Sequence, residues 1–585
     1  MSSRKKPAGD PLRSCGSTAI LASVAAIILP LLGCGDSGPA PRPDIVLIMA
    51  DDMGFSDLGS YGGEIETPNL DRLAATGLRF SHFYNTARCC PTRASLLTGL
   101  YAHQAGVGHM MDDDDLPGYR GDLAVNAVTI AEALGDAGYG TYMAGKWHVT
   151  RHVGHWSGND ELTSTHNWPL QRGFDRFYGT IHGAGSFYDP ISLTEGNTPV
   201  EPEPPDDSGA PYYYTDAISE YAARFVREHA AGDRSGEPLF LYVAHTAPHW
   251  PLHALPEDID RYRGRYAAGW DAIREERQQR LIELGLIDED WLLAERDPRV
   301  PAWEEIPDRE RPWFERAMEV YAAQIDRMDR GIGALVAALE ETGRLDNTLI
   351  LFLADNGGCA EVLTDGWTGL AIPRQTLDGS PVAIGNDTEV LPGPESSYQS
   401  YGPHWAHVSN TPFRLYKHWV HEGGIASPLI VHWPTRITEG GGIVSETAHV
   451  VDLMATALDA AGASHPSSRT GRHSIPVAGT SLLPAFQDQM LERDAVFWEH
   501  EGNRAVRSGK WKLVSRHPGE WELYDLAADR TEVDDLAADQ PENVTRLASL
   551  WEEWAARTGV VPWAELIERR RAARQARQAI RHLPP

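Results

Sequence analysis

Asp44-Ile-Val-Leu-Ile-Met-Ala50-Asp51-Asp52-Met53-Gly54 is an apolar, β-branched run that stops at two carboxylates. Nothing polar interrupts Ile45 to Ala50, so the run predicts a strand buried on both faces, as in a parallel sheet. Three later segments repeat the form. Gly140-Thr-Tyr-Met-Ala144 leads into Gly145-Lys146-Trp147-His148, and Leu239-Phe-Leu-Tyr-Val-Ala244 leads into His245-Thr-Ala-Pro-His249-Trp250-Pro251. Thr348-Leu-Ile-Leu-Phe-Leu353 leads into Ala354-Asp355-Asn356-Gly357-Gly358. Helical patterns lie between them. Thr67 and Pro68 supply an N-cap and N1 for a helix through Ala74, and Ala127–Ala137 is another. Ile218, Tyr221, Ala222, Phe225 and Val226 keep helical period, and Tyr321, Ile325, Met328, Ile332, Leu335 and Leu339 line one face of a long helix. Strand, polar cluster, helix and strand again predict an α/β fold with helices on both faces of the sheet. Such sheets gather active sites beyond the carboxyl ends of their strands, so clusters roughly 300 residues apart are expected to converge.

The chain has 585 residues, 42% apolar and 23% charged, enough for more than one domain. Its formal charge of -31 argues against nucleic acid as a partner and repels polyanions at long range. An anionic substrate therefore needs a locally positive pocket. Arg4, Lys5 and Lys6 precede a 14-residue apolar run, Ala19–Leu32, too short to span a bilayer but suited to an export signal over residues 1–33. Leu31-Leu32-Gly33-Cys34 resembles a bacterial lipobox, which implies lipidation of Cys34 and a tether over residues 34–43. The expectation is a periplasmic or cell-envelope lipoprotein of a bacterium, at the membrane only through that anchor. An ordinary signal peptide with a chance cysteine is the alternative. Five cysteines, two of them in the leader (Cys15, Cys34), do not make a disulfide scaffold. Cys90 and Cys359 could pair or stay free.

The remaining segments are plainer. Glu201–Ala210 and Gly366–Ser409 are loops, the second expected over the active site. Arg261–Arg311 is charged and is expected to be helical and exposed. Asp112–Asp115 is read as a solvated loop, since four consecutive carboxylates cannot all face one ion. From about Leu491 the character changes: Arg504–Val514 and Trp521–Asp525 predict antiparallel strands, and Pro541–Thr558 a closing helix with Val544, Leu547, Leu550, Trp551 and Trp554. The organisation expected is a catalytic domain over 44–488, a C-terminal α+β unit over 489–565 and a solvated basic tail over 566–585.

Cys89-Cys90-Pro91-Thr92-Arg93-Ala94-Ser95-Leu96-Leu97-Thr98-Gly99 resembles the signature of the sulfatase family, in its arylsulfatase-type branch, within the alkaline phosphatase superfamily. Three other elements share the resemblance: Gly145-Lys146-Trp147-His148, Ala247-Pro248-His249-Trp250-Pro251, and Lys417 five residues before Glu422-Gly423-Gly424. So do Trp168–Asp175, Ser409–Arg414 and Trp498–Gly502. The fold implied is a large mixed, mostly parallel sheet sandwiched by helices, with a smaller antiparallel sheet and helix at the C-terminus. The activity implied is hydrolysis of aryl or carbohydrate sulfate esters. The cysteine is converted by a maturase to formylglycine, whose hydrate is the nucleophile. Counted from Cys89, proline falls at +2 and arginine at +4, as in the signature; counted from Cys90 the same places hold Thr92 and Ala94. The resemblance therefore implies Cys89 and not Cys90 as the residue modified, and Thr92 stands where the family usually has serine.

Asp51, Asp52, Asp355 and Asn356 offer hard oxygen ligands, which suit calcium or magnesium. The resemblance implies one calcium, shared with the group made from Cys89. It further implies that Lys146 and Lys417 bind sulfate and that His249 or Lys417 protonates the leaving oxygen. His148 would take the proton that releases sulfate, Arg93 would steady the nucleophile and Asp355 would activate it. His245, His253, His418 and His421, which flank the motifs, are placed behind the catalytic residues or at the rim and not among them. The partners implied are a sulfated small molecule or glycan and the maturase, with Gly366–Ser409 and His182–Pro190 setting the choice of substrate. Two alternatives stay open: a phosphonate or phosphate ester hydrolase of the same superfamily, and a silent glycan binder whose Cys89 is never converted.

Overall fold

The computed structural model describes residues 41–204 and 210–581. The segment read as an export signal, Cys34 and the expected tether up to residue 40 lie outside them, as do residues 205–209 of the acidic loop. The sheet is built on β1 (Asp44–Ala50), β2 (Leu78–Tyr84), β3 (Gly140–Gly145), β4 (Arg176–Thr180), β5 (Leu239–Ala244), β6 (Thr348–Ala354) and β7 (Ala426–His432). Their spatial order is β2-β7-β6-β1-β5-β3-β4, and short edge strands complete an eleven-stranded sheet among the described residues. β6, β1, β5, β3 and β4 run parallel, while β7 is antiparallel to both β6 and β2. The four expected strands are all present, at its centre.

Burial on both faces is the reason for the uninterrupted apolar runs. Val46, Ile48 and Ala50 belong to the core on one face, and Ile45, Leu47 and Met49 to the core on the other. The first core is closed by three helices, α1 (Pro68–Thr76), α3 (Tyr214–Ala231) and α4 (Arg311–Glu341), and the second by α2 (Cys89–Thr98) among others. Register then sets the site. Ala50 is paired with Ala354, Met49 with Ala244, and Gly145 with Ala244. Four strands thus end on one line, and Asp51, Asp355, Lys146 and His245 emerge side by side.

Several expectations are corrected. The segment 261–311 is not a uniform exposed helix: Gly269–Glu283 is helical, the chain from 284 to 302 is irregular, and Trp270, Trp291 and Trp303 are buried. Its charges are mostly peripheral, but its tryptophans are core. The run Arg504–Val514 is itself a hairpin that turns at Gly509. The C-terminal sheet is therefore four antiparallel strands, β8 (Val496–His500), β9 (Asn503–Ser508), β10 (Trp511–Ser515) and β11 (Glu522–Asp525). Helix α5 (Pro541–Thr558) lays Leu547, Trp551 and Trp554 against Val506, Leu513 and Leu523. The solvated tail begins as part of a docked helix, α6 (Trp563–Arg581), in which Arg570 pairs with Asp114 at 2.7 Å. The Asp114 carboxylate is correspondingly covered, its side chain 4% exposed against 96% for Asp115. Among the described residues no helix is long and apolar enough to cross a membrane.

A buried polar network joins the two units. Glu422 accepts from Lys512 Nζ and Arg530 Nε, both at 2.8 Å, and from the Tyr84 hydroxyl at 3.0 Å. Lys512 also lies 2.8 Å from Glu532, whose other oxygen accepts from the Glu422 backbone N–H at 3.0 Å. Burial pushes the Glu422 carboxyl up, but Lys512 and Arg530 outweigh it and hold it at about 2, against an ordinary 4.5. A carboxyl lowered on folding contributes stability that is complete above its unfolded value and is lost as pH falls toward its folded one. Glu422→Gln is accordingly expected to flatten the acid limb of Tm between about pH 4.5 and 2 relative to the parent. An unchanged acid limb would contradict this.

Candidate active site

Helix α2 begins at Cys89, so the thiol sits where unpaired backbone N–H groups point and negative charge is favoured. Pro91 is tolerated because the first turn needs no N–H from it. Arg93 follows Cys89 by four residues, one helical turn on, and shares its face. The helix stops at Gly99, which takes φ 64° and returns its N–H to Ser95. Thr92 Oγ1 accepts from the Thr86 backbone N–H at 3.0 Å and pairs with the Thr86 hydroxyl at 2.8 Å, clamping the loop that enters the helix. The hydroxyl common to serine and threonine is what this contact needs.

The sequence-predicted residues meet. Arg93 Nη2 donates to Asp355 Oδ2 at 2.9 Å and lies 3.6 Å from Asp51. Lys146 Nζ donates to Asp51 Oδ2 at 2.5 Å. Lys417 Nζ bridges to both oxygens of Asp52 at 2.8 and 2.9 Å and lies 3.4 Å from His249 Nε2. His249 Nδ1–H donates to Trp250 O at 2.6 Å, which turns Nε2 toward Lys417 and Asp52. His148 Nε2 is 3.3 Å from Cys90 Sγ. His148 is held there by a backbone at φ 55°, and Gly183 leaves the space for its ring: a Cβ at Gly183 would stand 2.1 Å from Nε2.

Electrostatics follow from burial. The Cys90 thiol first, with the charges of Lys146 and Lys417, holds Cys89 well below the usual thiol range, while burial pushes Cys90 up. Burial and then Lys146 drive His148 down to about 3, so its ring is neutral. Asp355 is raised by burial and by the neighbouring Asp51. Asp51 is raised by burial, but Lys146, His249 and Arg93 outweigh that and its net shift is downward. Cys90 and Cys359 are free thiols, both buried.

Two oxygens in this cluster have no hydrogen-bond partner among the described residues: Asp51 Oδ1 and Asn356 Oδ1, both buried. Asn356 turns its amide nitrogen to Asp52 Oδ1 at 2.6 Å, so its carbonyl oxygen faces away from the donors. Unpaired buried oxygens beside two further carboxylates are the donor set of a hard cation.

Sequence reading missed two residues of the rim. Arg88, just before Cys89, pairs with Glu361 at 2.9 Å, and Trp250 Nε1 donates to the same carboxylate at 2.8 Å. Trp367, from the long 366–409 loop, packs edge-on against Trp250 at 5.7 Å between ring centroids, and His182 stands 6.0 Å from His148. That loop therefore reaches the rim at Trp367, while farther along it carries two short strands and the helix Gly402–Ser409. Position beside a motif was the only signal for Arg88; nothing local marks Glu361. His245 and His253 are buried, with burial lowering the first to about 3 and the second to about 4. His421 is also buried, and His418 is partly exposed.

Comparison with known proteins adds the following. A family model described as Sulfatase matches residues 43–463, and one described as N-sulphoglucosamine sulphohydrolase, C-terminal, matches residues 413–556. An arylsulfatase of Klebsiella aerogenes is 34% identical over 478 residues, 79% of this chain and 96% of that protein. An uncharacterized sulfatase of Schizosaccharomyces pombe is 34% identical over 496 residues, 81% of this chain and 85% of that protein. Among solved structures, Ps i-CgsB in complex with k-i-k-neocarrahexaose has a TM-score of 0.60 at 24% identity, covering 88% of this chain and 93% of that one. A phosphonate monoester hydrolase of Agrobacterium radiobacter has a TM-score of 0.53 at 21% identity, covering 88% and 96%. These two likenesses concern the fold.

Proposed function

From the premise that the chain belongs to the sulfatase family, and is a sulfuric ester hydrolase, we propose that it cleaves a terminal sulfate ester with a formylglycine made from Cys89 and one calcium. The observation that carries the reading is the joint placement of Cys89, Arg93, Lys146, His148, His249 and Lys417 around Asp51 Oδ1 and Asn356 Oδ1, two buried oxygens without partners. Asp51, Asp52, Asp355 and Asn356 would hold the cation, magnesium being the lesser fit. The ion, when bound, supplies Lewis acidity at a sulfate oxygen, and the formylglycine supplies a hydrated aldehyde as nucleophile.

The chain's own residues do the rest. Lys146 and Lys417 supply the positive charge that the net charge of the protein denies, and they would bind the sulfate oxygens. Lys417 has its ammonium opposed by burial but held by Asp52 and by neighbouring thiols and carboxylates, so it stays charged. Lys417 and the His249 Nε2 beside it are placed to give a proton to the leaving oxygen. His148 is neutral and can accept one. Arg93 fixes Asp355 and the floor of the site.

Cys89, Lys146, His148, His249 and Lys417 are each no more than 5% exposed, while the Arg88 and Glu361 side chains at the rim are 18% and 26% exposed. So sunken a centre admits the end of a substrate rather than the middle of a chain. The substrate proposed is a sulfated small molecule or the terminal unit of a glycan. Export, lipidation at Cys34 and processing by a maturase that reads Cys89-x-Pro91-x-Arg93 complete the proposal, on the strength of the sequence.

Assay of purified protein on matched aryl sulfate and aryl phosphonate should give the higher kcat/KM on the sulfate. The reverse order would replace this reading with phosphonate hydrolysis. Removal of divalent ions by a chelator should abolish turnover and lower Tm, with calcium restoring both more fully than magnesium. Full activity after exhaustive chelation would remove the ion from the proposal.

A further inference from the structure

Imidazoles and a carboxylate also meet away from this site, where the C-terminal hairpin packs on the catalytic domain. His500 ends β8, Glu501 follows in the turn to β9, and His418 comes directly after Lys417. His418 Nδ1 lies 3.0 Å from one oxygen of Glu501, and His500 Nε2 lies 3.9 Å from the other. One ligand atom from each of the three residues falls within 4.8 Å of the others. His500 is fully buried, and neither of its ring nitrogens has a hydrogen-bond partner among the described residues. An unsatisfied nitrogen on a buried ring is costly, and an ion bound to this ring would relieve one of the two.

The neighbours are arranged as supports. Arg570 Nη2 donates to His109 Nδ1 at 2.9 Å, so His109 carries its proton on Nε2 and donates it to Glu501 at 2.6 Å. Asp114 holds Arg570 in turn, at 2.7 Å. His109 therefore has no lone pair to offer; it orients the carboxylate, as outer partners of metal ligands do. His418 and Glu501 both hold positive φ, 94° and 51°, a backbone that residues other than glycine adopt at a cost. Two imidazoles and a carboxylate suit a borderline first-row ion, where calcium would want oxygens throughout.

We propose that His418, His500 and Glu501 bind a divalent transition ion, zinc fitting best, with water completing a tetrahedral site. The His418–Glu501 separation is already near the roughly 3.4 Å edge that bonds of about 2.1 Å give, and the remaining atoms need to close by about an ångström. Binding at His418 Nδ1 shifts that ring's proton to Nε2 by exchange with water, a change of tautomer with no net release. The Nε2 of that ring lies 3.4 Å from Asn503 Nδ2, and with a side chain 31% exposed it can turn its new N–H to water. The ion would fasten the C-terminal hairpin to the residue beside Lys417.

The test uses full-length protein, chelated and then saturated with calcium, titrated with Co2+. We expect one Co2+ per chain with the visible d–d absorption of a tetrahedral site, displaced by Zn2+, and a Tm raised by Zn2+. His500→Phe and, independently, Glu501→Gln should abolish that band. His152→Ala should keep it; His152 belongs to a separate group with two imidazoles, alongside Asp122 and His166. Absence of Co2+ binding by the parent at 100-micromolar free ion (an order-of-magnitude ceiling), or a band that survives in both hairpin variants, would overturn the proposal. Because the parent titration decides by itself, a variant that fails to fold does not shelter it.

Discussion

Cys89→Ala is expected to lower kcat/KM on an aryl sulfate by about 10⁴-fold or more, the scale on which removal of a covalent nucleophile acts. Cys90→Ala should cost less than about tenfold, since that thiol only touches His148 and its neighbour. The contrast matters because the two thiols are adjacent and both buried. Peptide mass spectrometry of protein made with a maturase should find an aldehyde at residue 89 and an unmodified cysteine at residue 90. If the alanine variant at 89 keeps even a hundredth of the activity, the nucleophile lies elsewhere.

The second large effect is on stability. Lys512→Met leaves Glu422 and Glu532 facing each other without their shared cation, in a place with no access to water. Breaking a buried pair by deleting one partner typically costs 3–5 kcal/mol, and that loss is expected in denaturant unfolding of this variant. Lys512→Met with Glu532→Gln should recover part of it, because the second change removes one of the stranded charges. A loss below about 1 kcal/mol for the single variant would mean that Arg530 alone satisfies both carboxylates.

The strands and their ends were legible because burial on both faces leaves an unbroken apolar signal in β1, β3, β5 and β6. The motif residues at those ends carry their own chemistry, so Asp51, Lys146, His249 and Asp355 could be read without a structure. The irregular regions were not legible. Trp270 and Trp303 lie among charges in sequence, yet a charged helix can bury one face, and local composition does not tell which. Gly509 breaks a run that otherwise reads as one strand. Glu361 is found only through its partners: Arg88 and Trp250 arrive from two other segments, and no spacing rule links three residues so far apart. The Glu422 network was hidden for the same reason; Glu422 read as part of a signature, whereas its contacts are with Lys512, Arg530 and Tyr84.

Every residue from Cys89 to Thr98 is buried in the folded protein. An outside catalyst therefore cannot grip Pro91 and Arg93 once α2 has docked. Under the proposed conversion, Cys89 would be the object of a race between a modifying enzyme and chain collapse, run once for each molecule. A molecule that folded first would be stranded as an inert thiol, beyond repair by supplying the modifying enzyme afterwards. Yield of active protein should then track how slowly the first hundred residues fold (a rough span), not how much maturase is added to the finished product.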